Sequence, residues 1–256
     1  MNDSYRRICQ DLAPMGIKKG DALLVHSSFK SLGGVEGGIE TLIAALKDTV
    51  SAAGTLMLPT FTFRYVNKEN PIFNIKETPS CVGMIPEVFR HSDGVVRSLH
   101  PTHSLAVWGK DKQWYIKDHI NDNTCLGINS PMYKLKERHG KVLLLGCKLA
   151  RNTILHGLEV HLKPPYAFAV DYSVPEYHRD YTCIDENGNS YTKEFFHAFA
   201  NECGYDHDFD KLRNIVECNT QKILDADCYL FHAYELWETV KTAMEKDPYC
   251  LAKKIK

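Results

Sequence analysis

The run Val142-Leu143-Leu144-Leu145, closed by Gly146, constrains what this chain can fold into more than any other stretch. A short, wholly apolar segment bounded by glycine suits a strand buried on both faces, although its length leaves a buried helical turn open. The next segment is polar: Arg151-Asn152-Thr153 reads as a helix start, with Asn152 or Thr153 at the N-cap. His156 and Glu159 then stand three apart, and a helix would bring them to one face within touching distance. A basic ring and a carboxylate just beyond a buried strand lie where open α/β sheets place their chemistry. The pair reads as a general base, His156, oriented and kept basic by Glu159 or another acid. The competing reading is a structural histidine satisfied by its helical neighbour.

The pattern recurs upstream. Ala22 to Val25 is a second buried strand, the helical pattern Ile39 to Val50 comes after it, and Gly54 to Pro59 is a third strand closed by proline. That β-α-β order argues for a parallel crossover. The first strand runs into His26-Ser27-Ser28-Phe29-Lys30 and then Gly33-Gly34 and Gly37-Gly38, a loop through which a ligand can approach backbone. No Walker lysine-serine pair and no GxGxxG accompany it, so it is neither a P-loop nor a dinucleotide fingerprint. Residues 66–80 form a long irregular loop, and loops of that length more often have a task. Beyond Pro164-Pro165 the chain turns acidic, with a hairpin candidate at Asp185–Asn189 and a final helix near Ala233 to Lys246. The expectation is an α/β fold: a central, mostly parallel or mixed sheet flanked by helices, with a smaller acidic C-terminal lobe. Residues 1–165 would form the core. Residues 166–256 would form a lobe and C-terminal helix packed on it as one structural unit.

Composition removes several function classes. A formal net charge of -1 over 256 residues gives no global field to draw nucleic acid or an anionic membrane. No apolar run is long enough to span a bilayer and the start carries no signal-peptide pattern, so a cytoplasmic protein is expected. The nine cysteines are scattered without CxxC spacing and read as reduced thiols. Arg97-Ser98-Leu99-His100-Pro101-Thr102-His103-Ser104 is the densest polar cluster. Two histidines three apart invite a metal, but Pro101 prevents a regular helix and no third ligand is near, so no metal is expected. An arginine with hydroxyls and an imidazole better suits an anionic or carbonyl-bearing ligand. His161 falls on another helix face from His156, so HGLEVH is not a zinc-protease motif. Ser27 or Ser28 with a histidine would make a hydrolase, though no GxSxG elbow supports one.

Taken together, VHSSFKSLGGVEGG, GTLMLPT, TPS, RSLHPTHS, NSP, VLLLG and NTILHGLE resemble, in order, the aminoglycoside 3-N-acetyltransferase family across roughly residues 20–165. The resemblance implies an α/β fold distinct from the GNAT acetyltransferases, with acetyl-CoA as co-substrate in a cleft of the core. It places His156 at the catalytic base position and Glu159 at its acidic neighbour. It places Ser27, Ser28, Phe29 and Lys30 against the pantetheine and phosphates, and Arg97, Ser98 and His100 in a second cofactor-side motif. The implied reaction is direct 3-N-acetylation of a cationic amino-sugar by a monomer or homodimer. After Pro165 the match weakens, and Val216-Glu217-Cys218-Asn219-Thr220 lacks the glycine and alanine of the family's segment there. An amino-sugar of cell-surface or natural-product biosynthesis, or a CoA-binding relative without turnover, are the alternatives.

Overall fold

The computed structural model describes residues 2–167, 178–196 and 204–255. Its helices are α1 (Asp3–Leu12), α2 (Gly38–Val50), α3 (Met84–Arg90), α4 (Lys112–Ile116), α5 (Pro131–Glu137), α6 (Ile154–Leu162) and α7 (Ala233–Lys246). The first strands are β1 (Ala22–Ser27), β2 (Thr55–Pro59), β3 (Ile72–Asn74), β4 (Val96–Arg97), β5 (Leu105–Gly109) and β6 (Lys141–Leu145). After them come β7 (His178–Ile184), β8 (Ser190–Phe196), β9 (Tyr205–His207), β10 (Asn219–Ile223), β11 (Ala226–His232) and β12 (Ala252–Lys254).

Seven strands make the central sheet in the order β10-β11-β6-β1-β2-β5-β4. The three middle strands β6, β1 and β2 are parallel, and antiparallel strands extend the sheet on both sides. The sheet is therefore mixed, with parallel pairing confined to its centre. The period of two in the apolar runs explains why it needs cover on both faces. Phe231, Val142, Leu24, Met57 and Val107 are successive partners across the strands and point into one core, shared with α5, α6 and α7. The alternate residues Leu230, Leu143, Val25 and Leu58 point into the other, shared with α1, α2 and α3. Each such side chain contributes about 1.5–3 kcal/mol on burial, so a one-residue slip of any central strand would forfeit several.

Residues from the C-terminal part of the chain join the central sheet: β11 pairs with β6 through five residues, Cys228 opposite Leu145 to His232 opposite Lys141. The alternating buried residues Cys228 and Leu230 on one face, with Phe231 on the other, make that strand an interior one. The loop 66–80 is not wholly irregular, because β3 pairs in parallel with β7. Together with β8 these strands form a separate three-stranded sheet over a small core of Val66, Phe73, Ile75, Tyr181, Cys183 and Phe195. The hairpin between β7 and β8 turns at Asp185, whose Oδ1 accepts the N–H groups of Asn187 and Asn189. No described helix is long and apolar enough to cross a membrane. The eight described cysteines are all unpaired.

The sheet delivers its loops to one end. β1 stops at Ser27 and β6 at Leu145, registered side by side, and the Ser28 N–H then donates to the Leu145 carbonyl at 2.9 Å. Gly146 turns the chain with φ +67°, and a Cβ there would lie 2.8 Å from the Ser31 Cβ. Only glycine meets both demands.

Candidate active site

His156 lies in the first turn of α6, one helical turn before Glu159. Their spacing does on the helix what it promises in the sequence: His156 Nδ1 donates to Glu159 Oε2 at 2.7 Å. The helix starts at Thr153, without a side-chain cap bond, while Asn152 is buried with no partner for its amide among the described residues. Glu159 is wholly inaccessible to solvent, whereas the His156 side chain is 23% exposed. The imidazole thus spans from the interior to the surface, with Nε2 turned away from the carboxylate.

A buried carboxylate must have compensating donors. Glu159 has three: besides His156, the Tyr166 hydroxyl donates to Oε1 at 2.7 Å and His207 Nδ1 donates to the same oxygen at 2.8 Å. Burial alone would push this carboxyl up, but the hydrogen bonds from the two imidazoles outweigh it and bring it down to about 2. It is therefore an anion throughout the working range. Burial and the adjacent anion push the Tyr166 hydroxyl up, so it stays a donor. Phe209 closes the site, its ring 5.1 Å from that of His156 and 5.3 Å from that of His207. From the end of β1 comes His26, held neutral by burial and then by the charge of His156, down to about 3.

The serine loop sits at the strand ends, as expected. Ser28 Oγ bonds Ser31 Oγ at 2.8 Å, and Ser31 Oγ donates to the Gly146 carbonyl at 2.7 Å, tying β1 to β6. Ser27 Oγ and His26 Nε2 are buried without a partner among the described residues. Phe29 is half-buried and Lys30 exposed. Beside this loop an open depression of about 600 Å³ is lined by Ser31, Gly146, Cys147, Lys148, Asp210 and Arg213, among others.

The RSLHPTHS cluster turns inward instead. Arg97 is 7% exposed, and its guanidinium donates to five protein oxygens: Thr60 Oγ1, Ser104 Oγ and the carbonyls of Thr60, Ile75 and Thr78. The Phe73 ring lies 4.9 Å from it. Ser98 and His100 are fully buried. Ser98 Oγ accepts from Leu105 N and contacts His119 Nδ1, and His100 uses one ring nitrogen on Thr124 O and the other on the N–H groups of Thr102 and His103. These three side chains, expected on the cofactor side, are here engaged with protein groups. Their polar atoms satisfy the interior where β4, β5 and the loop after β2 converge, and little of them reaches a surface.

Metal ligation has one geometric candidate among the described residues, and it is not the His100–His103 pair. Ligand atoms of His156, Glu159 and His207 lie within 4.8 Å of one another. In this arrangement the imidazole Nδ1 atoms already point their hydrogens at the carboxylate, so an ion bound between them would displace both. His161 is elsewhere, against Trp237. Of the acids beyond Pro165, Asp171, Glu176 and Glu202 lie outside the described residues. Asp185 is engaged in its turn, Glu194 pairs with His178 and Asp206 with Lys253, while Asp210 lines the depression. Sequence reasoning missed His207, Tyr166 and His26. The first is 48 residues from Glu159 and carries no local spacing signal.

These features define a three-layer α/β protein whose parallel strands end at a buried carboxylate holding an imidazole. The sequence from 24 to 245 matches the family model for aminoglycoside 3-N-acetyltransferase, and the chain belongs to that family of acyltransferases. It is 34% identical over 188 residues to the SPbeta prophage-derived aminoglycoside N(3')-acetyltransferase-like protein YokD of Bacillus subtilis (strain 168), covering 66% of this chain and 68% of that one. It is 34% identical over 186 residues to aminoglycoside N(3)-acetyltransferase VII of Streptomyces paromomycinus, covering 66% of this chain and 64% of that enzyme. Among solved structures, AAC-IIIb in binary complex with CoASH superposes with a TM-score of 0.76 at 26% identity, covering 94% of this chain and 96% of that one.

Proposed function

We propose that this chain transfers the acetyl group of acetyl-CoA directly to an amine of a cationic amino-sugar, an aminoglycoside acetylated at its 3-amino group, with His156 as general base. The observation that carries the reading is the 2.7 Å bond from His156 Nδ1 to a carboxylate with no solvent access. That bond fixes the ring's tautomer, which makes Nε2 the nitrogen that accepts the amine's proton. The family membership and the CoASH complex of AAC-IIIb support the acyl donor, and the names of the curated relatives support the acceptor.

Acetyl-CoA supplies an activated acyl carbon. The amine nitrogen forms the new N–C bond as His156 Nε2 takes its proton, and Glu159 stabilises the imidazolium so formed. When the C–S bond breaks, the imidazolium returns that proton to the departing sulfur, which leaves as a thiol. Ser27 Oγ, buried at the end of β1 with no partner among the described residues, and the serine loop are suited to the carbonyl and pantetheine side. Lys30, at the surface beyond it, suits phosphate. Arg97, Ser98 and His100 hold the wall behind the cleft. Asp210 and the acids near it offer a charged surround for ammonium groups on the acceptor. The protein works in the cytoplasm, where its acyl donor is found.

The test is thiol release from acetyl-CoA against a panel of aminoglycosides and nucleotide-linked amino-sugars. One thiol per acetylated amine, with aminoglycosides the better acceptors, is expected. Thiol release only with the nucleotide-linked sugars would move the acceptor class. No release with any acceptor, alongside CoA-dependent thermal stabilisation, would make the protein a binder.

A further inference from the structure

We propose that Tyr166 is a positioning residue for the transfer: its hydroxyl holds one oxygen of the Glu159 carboxylate so that the other stays on His156. This role rests on the reading of His156 as the base, and it gives a task to a tyrosine that lies beyond the end of the helix carrying the pair.

The chain is built to bring that tyrosine back. α6 ends at Leu162, and Lys163 takes the left-handed conformation with φ +51°, its N–H on the Glu159 carbonyl at 2.8 Å. Two prolines follow, and neither has an N–H with which to continue the helix. Residues 164–167 then form a tight turn, closed by the Ala167 N–H on the Pro164 carbonyl at 3.0 Å. Pro165 occupies its second position, where the fixed φ of the ring is favoured, and Tyr166 its third. Pro165 is exposed, whereas Tyr166 is 2% exposed, with its hydroxyl 2.7 Å from Glu159 Oε1.

A glutamate carboxylate turns easily about its last torsion, which is broad and roughly two-fold. Glu159 Oε2 accepts His156 Nδ1 at 2.7 Å, while Oε1 takes both the Tyr166 hydroxyl and His207 Nδ1, the latter at 2.8 Å. Rotation of the carboxylate would break the bonds on Oε1 in a site with no solvent to replace them. The plane in which His156 meets its acceptor is therefore fixed from behind. A phenol suits this post. Burial and the adjacent anion keep its proton in place, and it brings no charge of its own. Its ring is seated independently of the hydroxyl, 5.8 Å from the ring of His207 and 6.1 Å from that of Tyr249.

A double-mutant cycle on kcat and KM in the full chain, read beside Tm, tests this role. Y166F keeps the ring and its contacts and removes only the hydroxyl. Its kcat is expected to fall about ten-fold, the lower end of what a partner behind an active-site group contributes, because His207 still holds Oε1. KM for acetyl-CoA and for the acceptor should stay within about two-fold, since neither is bound by this hydroxyl. E159Q should be slower than Y166F. The double variant should turn over at the E159Q rate, within about two-fold, because a residue acting through the carboxylate has nothing to act on once it is gone. A hydroxyl that only stabilises the fold would lower Tm and leave kcat unchanged, and that result would overturn the proposal. Losses in kcat that multiply in the double variant would overturn it as well. Y166F at the wild-type kcat with H156A slow would refute Tyr166 and leave His156 as the base, whereas H156A at the wild-type rate would remove both. Should E159Q not fold, H156A takes its place in the cycle, and Y166F is again expected to add no further loss.

Discussion

Replacing His156 by alanine is expected to lower kcat/KM for acetyl transfer by about 10²–10⁴-fold, the range a positioned general base supplies. The loss should fall mainly on kcat, because the proton moves only as the N–C bond forms. CoA affinity should stay within a few-fold of wild type, since the loops assigned to the cofactor are held by Ser28, Ser31 and Gly146 and not by His156. Stability is expected to fall by about 1–3 kcal/mol, because Glu159 Oε2 loses its donor from His156 while Tyr166 and His207 bond only Oε1. Steady-state kinetics with CoA binding by calorimetry separate these effects. A variant that turns over at the wild-type rate would remove the imidazole from the mechanism.

Replacing Arg97 by alanine is expected to be the most damaging single change to stability, at about 3–5 kcal/mol, or on the order of 10 °C in Tm. Five oxygens lose a donor, and three of them are the carbonyls of Thr60, Ile75 and Thr78. Burial weakens the charge of this guanidinium, bringing it down to about 9, yet at neutral pH it remains a cation with every neighbour arranged around it. Thermal unfolding checks the prediction. A normal Tm with a selectively raised KM for acetyl-CoA would restore Arg97 to the cofactor.

The contrast between these two residues shows where the sequence is legible. His156 and Glu159 are three apart on one helix, and a helix converts that spacing into a contact without help from the rest of the fold. The central strands are legible for a similar reason, since Leu23 to Val25 and Val142 to Leu145 need cover on both faces wherever they lie. The Asp185–Asn189 turn carries its own hydrogen-bonding chemistry. Arg97 is legible as part of a motif but not as an interior residue, because its acceptors are carbonyls 19 to 37 residues away, which have no residue signature. His207 is not legible at all. It sits on a three-residue strand positioned by pairing with β12, 48 residues after the Glu159 it bonds. The pairing of β11 is hidden because its partner, β6, lies some eighty residues earlier, opposite Leu145 to Lys141.

Direct transfer to an amine deprotonated by His156 is tested most directly by rapid-quench measurement of thiol release from acetyl-CoA, first without acceptor and then with an aminoglycoside, alongside intact-protein mass. The expected result is no thiol and no mass gain until the acceptor is added, and then one thiol for each amide formed. One equivalent of thiol released before any acceptor, with an acetyl group on the protein, would contradict direct transfer and make a side chain of this site the nucleophile.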